Sequence, residues 1–327
     1  MKKLYEFLAC KRYTGDFGIE IEVEGQNLPD IATPYWTSVP DGSLRNGKEY
    51  IFTKPASLEL VPKLLHNLKD LFVKSNAILQ FSFRTSVHVH MNVQECTTDE
   101  VLNIIYTYLL LEAPLMNFCG ESRKGNRFCL RMEDAEGLLL QLAHLFQRGD
   151  DGIRYLDRDV VRYSALNIEA LVKFGSLEFR AMEGTLDIER LTTWCTVLHK
   201  IREFATKMKS PDEIYNLYAK QDTLTFMENI FQELSPKFTY ENVVGDIQRS
   251  FSLSIDLPFS YLQEKKKILK EIKKKEFKEP IEKGKKFVNW EFPPVIVGGL
   301  IPTEFRIAVP KRRAAADLII HDELVGE

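Results

Sequence analysis

Three glutamates that alternate with β-branched residues are the first group in the chain suited to catalysis or metal binding. Glu20, Glu22 and Glu24 lie in residues 18–25, a segment with a glycine at each end. This alternation predicts a β-strand with all three carboxylates on one face. Neighbouring residues on that face lie roughly 7 Å apart, so two carboxylates can reach one pair of hard cations. The alternative is an edge strand whose acidic face meets solvent.

Two histidines alternate with apolar residues in a second predicted strand, residues 86–93. His88 and His90 share one face of this strand with Asn92. Histidines at positions i and i+2 of a strand can both reach one metal ion or one phosphate. The alternative is a half-exposed strand face that binds nothing.

A third predicted strand places a carboxylate beside an arginine. Glu178 and Arg180 share one face, and they suit a metal ion and a phosphate oxygen respectively. A simple ion pair would have the same sequence. Glu49 lies on residues 48–52, the predicted returning strand of a hairpin that turns at residues 40–43, and can point to the same cluster as Glu20 and Glu22.

A loop between these strands places four cations around a glycine. It covers residues 122–131 and includes Arg123 and Arg127, a composition that fits either a phosphate-binding loop or a solvated loop. Several strands would thus present charged residues on one face, which is costly unless ions and a polyanion bind there. Carboxylates, a histidine, Mg²⁺ and arginines together are what nucleotide phosphoryl transfer requires.

The elements that would position these residues are hairpins interleaved with long helices. This order predicts an α+β fold, with an antiparallel sheet and helices on one of its faces. Thr98 or Asp99 is the predicted cap of a helix that runs to about residue 118, with Pro114 bending or ending it. A strand is also predicted from Arg162 to Glu169.

Length and composition are those of a globular protein. The 327 residues can hold a catalytic domain at 1–210 and a helical and irregular C-terminal extension at 211–327, where prolines mark the tail. The five scattered cysteines predict reduced thiols in a cytoplasm, without a zinc ribbon. No segment is expected to span a membrane or to act as a signal peptide.

The net charge is −3, but one segment of the chain is strongly basic. Residues 264–286 carry eleven lysines against five glutamates, while the rest of the chain is acidic. The run Lys265–Lys275 has helical apolar spacing, so it is either a solvated helix face or a docking surface for an acidic macromolecular partner.

The sequences of these segments and their order along the chain resemble those of the putative amidoligase family, within the glutamine synthetase-like carboxylate–amine ligases. The resemblance covers about residues 15–208. The matching segments are G-I-E-I-E at 18–22, W-T-S-V-P-D-G-S-L with K-E-Y at 36–50, H-V-H at 88–90, R-K-G-N-R-F-C at 123–129, and R-Y-S-A-L-N with G-S-L-E-F-R-A-M-E-G-T-L-D at 162–187.

This resemblance implies a glutamine synthetase-like fold, a curved antiparallel sheet whose concave face binds ATP and Mg²⁺. It implies transfer of the γ-phosphate of ATP to a carboxylate, followed by attack of an amine to give an amide. The expected metal ligands are Glu20, Glu22, Glu49, His88 and Glu178. The expected ATP-binding residues are Arg123, Arg127, Arg180, His90 and Asn167, and the expected catalytic residues are Glu20, Glu49, Arg180 and Arg127.

Two other functions fit the same residues. One is a phosphotransferase of the related guanidino-kinase type, which forms no amide. The other is a nucleotide-binding module without catalysis. The carboxylate and the amine, small molecules or peptides, stay open at this point, as does oligomerisation.

Overall fold

An antiparallel sheet forms the centre of the computed structural model, which describes residues 2–154, 156, 163–239 and 241–277. The strands are β1 (Phe17–Gln26), β2 (Trp36–Pro40), β3 (Gly47–Phe52), β4 (Ile78–Gln80), β5 (Ser86–Asn92), β6 (Leu166–Asn167) and β7 (Ser176–Glu183). Within the described residues these seven strands follow the order β2-β3-β1-β5-β7-β6, and β4 pairs with β1. The predicted α+β class is confirmed.

The register of the central strands brings the polar residues of the sheet together. Glu20 of β1 lies opposite His88 of β5, and Glu22 lies opposite Glu49 of β3. His90 of β5 in turn lies opposite Glu178 of β7. Residues directly opposite in an antiparallel pair point to the same face, so these strands share one polar face.

Helices cover the other, apolar face of the sheet. These helices are α1 (Val61–Lys74), α2 (Thr98–Cys119) and α6 (Ile188–Ala205). The same part of the chain also forms α3 (Glu136–Arg148), α4 (Asp150–Arg154) and α5 (Ala170–Phe174), and Phe174 lies beside His90 of the polar face. Phe179 of β7 packs against Tyr108 of α2 and Trp194 of α6, with ring centroids 5.0 and 6.5 Å apart. All three side chains are buried, and burial of an aromatic ring of this kind contributes roughly 1.5–3 kcal/mol.

Helix α2 is the central helix of the core. Its N-cap is Thr97 and not Thr98 or Asp99 as predicted, and Thr97 forms a capping box with Glu100. Pro114 does not end it, because the helix is buried on nearly all sides and that packing outweighs one lost hydrogen bond. Among the described helices, α2 alone is long and apolar enough to cross a membrane, but 89% of its most apolar window is buried inside the protein.

Within the described part of the chain, four further α-helices follow residue 210. They are α7 (Pro211–Tyr218), α8 (Thr223–Phe231), α9 (Val244–Ser254) and α10 (Asp256–Phe277). Buried residues of these helices, such as Phe226 and Tyr261, belong to the same hydrophobic cluster as the sheet. The predicted irregular tail lies outside the described residues, and so do the side chains of the lysine run beyond residue 267.

The predicted strand from Arg162 to Glu169 is much shorter in the structure. Residue 162 lies outside the described part of the chain, and β6 contains only Leu166 and Asn167. Helix α5 begins at Ala170, directly after Glu169. The alternation predicted a longer strand because it cannot show that only two residues find a partner on β7.

Candidate functional site

Glu20 is the centre of the polar face. Its Oε2 lies 3.3 Å from Nδ1 of His88, and its Oε1 lies 3.3 Å from Nε2 of His90. Burial alone would raise the pKa of Glu20, but hydrogen bonds from both histidines hold this pKa well below its usual range. The pKa of His90 is raised, because the hydrogen bond to Glu20 and the charge of Glu178 outweigh the effect of burial. Glu20 is therefore an ionised carboxylate between two imidazoles.

Glu49 carries the opposite perturbation. Burial and the neighbouring carboxylates Glu20, Glu22 and Asp41 raise the pKa of Glu49 to about 9. Without a cation, this carboxyl group holds a proton at neutral pH. The face thus has more carboxylates than its histidines can neutralise, which is typical of a site that binds a cation.

Glu178 is held in place by two neighbours, Arg180 on its own strand and Asn167 on the edge strand β6. Nη1 of Arg180 donates to its Oε1 at 2.5 Å, and Nδ2 of Asn167 donates to its Oε2 at 2.7 Å. The charges of His90 and Arg180 overcome the effect of burial and lower the pKa of Glu178. Asn167 thus orients Glu178, and its contact with ATP stays a prediction.

An irregularity in the sheet sets the direction of Arg180. Between β5 and β7 the register changes, because Val87 pairs with Met182 but Val89 pairs with Phe179. The backbone N–H of Arg180 donates instead to the carbonyl of Ala165, on the far side of β7. Bulges of this kind bend a strand and turn a side chain toward a site.

Two serines that were not predicted as site residues orient the histidines. Oγ of Ser86 donates to Oε2 of Glu22 at 2.5 Å and lies 2.8 Å from Nε2 of His88. Oγ of Ser176 lies 3.0 Å from Nδ1 of His90. Hydrogen bonds to the second ring nitrogen orient an imidazole for metal binding. Both serines share a strand face with site residues, so the period-two alternation would have indicated them.

The remaining glutamates of β1 have different roles. Glu22 is 5% exposed, and it accepts the hydrogen bond from Ser86 that links it to the cluster. Glu24 is equally buried, and its Oε1 accepts a hydrogen bond from the backbone N–H of Arg45 at 2.7 Å. Glu24 therefore holds the β2–β3 hairpin in place.

The structure separates the two arginines of the predicted phosphate-binding loop. Arg123 has no exposed surface, and its Nη2 donates to the carbonyl of Arg180 at 3.0 Å. In this structure Arg123 thus supports the backbone at Arg180, and its role in ATP binding stays a prediction. Arg127 is exposed and stacks on Phe128, 4.8 Å from the ring centroid. Phe128 also accepts a hydrogen bond from Arg180 through its carbonyl, which places Arg127 at the edge of the site.

Two overlapping groups of ligand atoms could each hold a metal ion. Glu20, Glu49 and His88 form one group, and Glu20, His90 and Glu178 form the other. Within each group the ligand atoms lie within 4.8 Å of one another. Glu20 belongs to both and would bridge the two positions.

A pocket opens at one end of this polar face. It has a volume of about 270 Å³, and Glu20 and His90 line it together with Gly18 of β1. A larger cavity of about 410 Å³ lies elsewhere, between α2, α3 and α10. Because that cavity contains none of the clustered residues, the smaller pocket is the one relevant to the site.

Comparison with known protein families gives a match. The model of a family described as "Putative amidoligase enzyme" matches residues 27–201. The matched region contains Glu49, His88, His90 and Glu178, but it begins directly after β1, so Glu20 comes from the segment before it. No curated protein matches the chain.

Proposed function

Because the chain belongs to the putative amidoligase family, we propose that it is an ATP- and Mg²⁺-dependent carboxylate–amine ligase with a glutamine synthetase-like fold. The observation that carries this proposal is the cluster around Glu20, in which two groups of metal ligands share one carboxylate. Paired metal positions that share a carboxylate are typical of enzymes that transfer phosphoryl groups.

The donor atoms of the cluster fit Mg²⁺ in the presence of phosphates. Glu20, Glu49 and His88 would hold one ion, and Glu20, His90 and Glu178 would hold or orient another. Oxygen donors predominate, as a hard cation requires, and phosphate oxygens and water would complete each shell. The ions would supply positive charge next to the phosphates of ATP.

The side chains of the protein then have separate roles. Arg180 would neutralise charge that develops on the transferring phosphoryl group, and Arg127 would bind the phosphates from the rim. Ser86, Ser176 and Asn167 would keep the metal ligands in their orientations.

In the proposed reaction, a carboxylate oxygen of the substrate attacks the γ-phosphorus of ATP. The bond between that phosphorus and the β–γ bridging oxygen breaks, and ADP leaves. The amine nitrogen then attacks the acyl carbon, and the bond from carbon to the phosphate oxygen breaks. Phosphate departs with the electron pair, the nitrogen loses a proton, and the amide is lighter than its two reactants by one water.

The test is ADP release with Mg·ATP and pools of carboxylates and amines, combined with mass spectrometry of the products. Glu20→Gln should abolish turnover, while Glu59→Gln, at an exposed glutamate outside the site, should leave it unchanged. A phosphorylated product without condensation would instead identify a phosphotransferase. Full turnover by the Glu20 variant would refute the proposed site.

A further inference from the structure

The pocket next to Glu20 lies on one particular side of the metal-ligand cluster. Along β7, Ser176 lines the pocket, Glu178 belongs to the cluster, and Arg180 lies beyond it. Along β1, Gly18 lines the pocket and Glu20 belongs to the cluster. The pocket and Arg180 are therefore on opposite sides of the carboxylates.

This arrangement decides which substrate can occupy the pocket. In phosphoryl transfer the attacking and leaving oxygens lie roughly in line, on opposite sides of the phosphorus. If Arg180 and Arg127 bind the phosphates of ADP, the attacking group approaches from the pocket side. The pocket also begins at Glu20 itself. The base of a nucleotide is separated from its terminal phosphate by a ribose and two phosphates, so a base could not lie in this pocket while the terminal phosphate lies beside Glu20.

The volume of the pocket supports the same assignment. At about 270 Å³ it is slightly smaller than the range of roughly 300–1,000 Å³ that is common for sites of drug-sized ligands. A small molecule fits this space better than a nucleotide or a folded partner.

The walls of the pocket indicate the chemistry of its ligand. Ile51, Phe52 and Phe174 supply apolar surface, and Phe174 is 42% exposed. Lys54 is exposed at the mouth and is the only cation of Lys or Arg type among the described residues that line the pocket. An apolar ligand with an acidic group at its outer end would match both features.

We propose that this pocket binds the carboxylic acid substrate, a small acid with an apolar body and a second anionic group that pairs with Lys54. The reacting carboxylate lies at the inner end, beside Glu20 and His90, and the second anionic group lies at the mouth. This assignment rests on the proposed ligase function, because it names the acid that the ligase activates.

Gly18 offers a direct way to fill the pocket. A Cβ atom at this position would lie 3.5 Å from Cβ of His90, an ordinary van der Waals contact, so Gly18→Ala and Gly18→Val should fold. The branched side chain of valine suits a strand and would take up space at the floor. Gly18→Val should weaken binding of the acid by about tenfold or more and leave the Kd of Mg·ATP within about twofold.

Adipate and hexanoate are suitable probes, because they have the same chain length and differ by one carboxylate. Binding is measured by ligand-observed NMR in the presence of Mg²⁺ and a non-hydrolysable ATP analogue. The protein should prefer adipate by about fivefold, the size of an exposed ion pair, and Lys54→Gln should remove the preference. Lys69→Gln, at an exposed lysine on α1, is the matched control.

The outcomes separate this inference from the proposed function. If the protein binds the ATP analogue but neither acid, or if Lys54→Gln keeps the preference for adipate, the inference is refuted and the ligase proposal stands. If Gly18→Val weakens the nucleotide and spares the acids, the pocket binds the nucleotide instead. Absence of ATP binding by the unmodified protein would refute the proposed function itself.

Discussion

Glu49 should release a proton when Mg²⁺ binds. Burial and the charges of Glu20, Glu22 and Asp41 raise its pKa to about 9, so the carboxyl group is protonated at pH 7 in the metal-free protein. A cation needs the carboxylate form, so binding must displace this proton. Removing a proton two pH units below its pKa costs about 2.7 kcal/mol, or a factor of roughly 100 in affinity.

The pH dependence follows from this shift. Mg²⁺ affinity should rise about tenfold per pH unit from pH 7 toward the pKa of Glu49 and level off above it. In the metal-free protein the folded state holds a proton that the unfolded chain releases near the ordinary glutamate pKa of 4.5. The contribution of Glu49 to stability is therefore complete below that ordinary pKa and is lost as the pH rises through the folded pKa of about 9.

Isothermal titration calorimetry measures the proton release directly. Mg²⁺ is titrated at pH 7 in two buffers of different ionisation enthalpy, and the difference in heat should correspond to about one proton per ion bound at Glu49. Glu49→Gln keeps the shape of the protonated acid and should bind Mg²⁺ more weakly, without this proton release. Glu59→Gln should behave as the unmodified protein does. Mg²⁺ binding without proton release by the unmodified protein would refute the reasoning.

Three further substitutions test the hydrogen bonds around the metal ligands, the packing of the core and the cap of helix α2. Ser86→Ala removes the hydrogen bonds to Glu22 and His88 and should weaken Mg²⁺ binding about 10- to 100-fold in calorimetry. Phe179→Ala should cost about 3–5 kcal/mol in urea unfolding, because the ring is fully buried between the sheet and α2; a loss below about 1 kcal/mol would contradict this packing. Thr97→Ala should cost about 1 kcal/mol through loss of the α2 cap, whereas Thr97→Ser should retain most of it.

Local alternation was sufficient to predict which residues of each strand share a face. The side-chain period of two is a property of the extended backbone, so Glu20 with Glu22, and His88 with His90, could be placed together without knowing the fold. The same reasoning could have found Ser86 and Ser176, which occupy the same faces. The α+β class followed from the order of elements.

Roles within the loop at 122–131 and at the end of β1 could not be read from the pattern. Arg123 and Arg127 have the same charge in the same loop, yet one is fully buried and the other is exposed. Glu24 continues the alternation of Glu20 but binds the backbone of Arg45. Burial depends on which distant segments cover a residue, and that information is absent from local sequence.

Sequence alone thus determined the chemistry that this chain presents: carboxylates and histidines on alternating strands, with arginines beside them. Tertiary structure decided which of them meet. The register of β1 against β5 puts Glu20 between His88 and His90, and a shift of one residue would move Glu20 to the opposite face. The bulge at Arg180 shifts a second register, that of β5 against β7, and neither pairing can be read from one strand alone because its backbone hydrogen bonds go to distant segments.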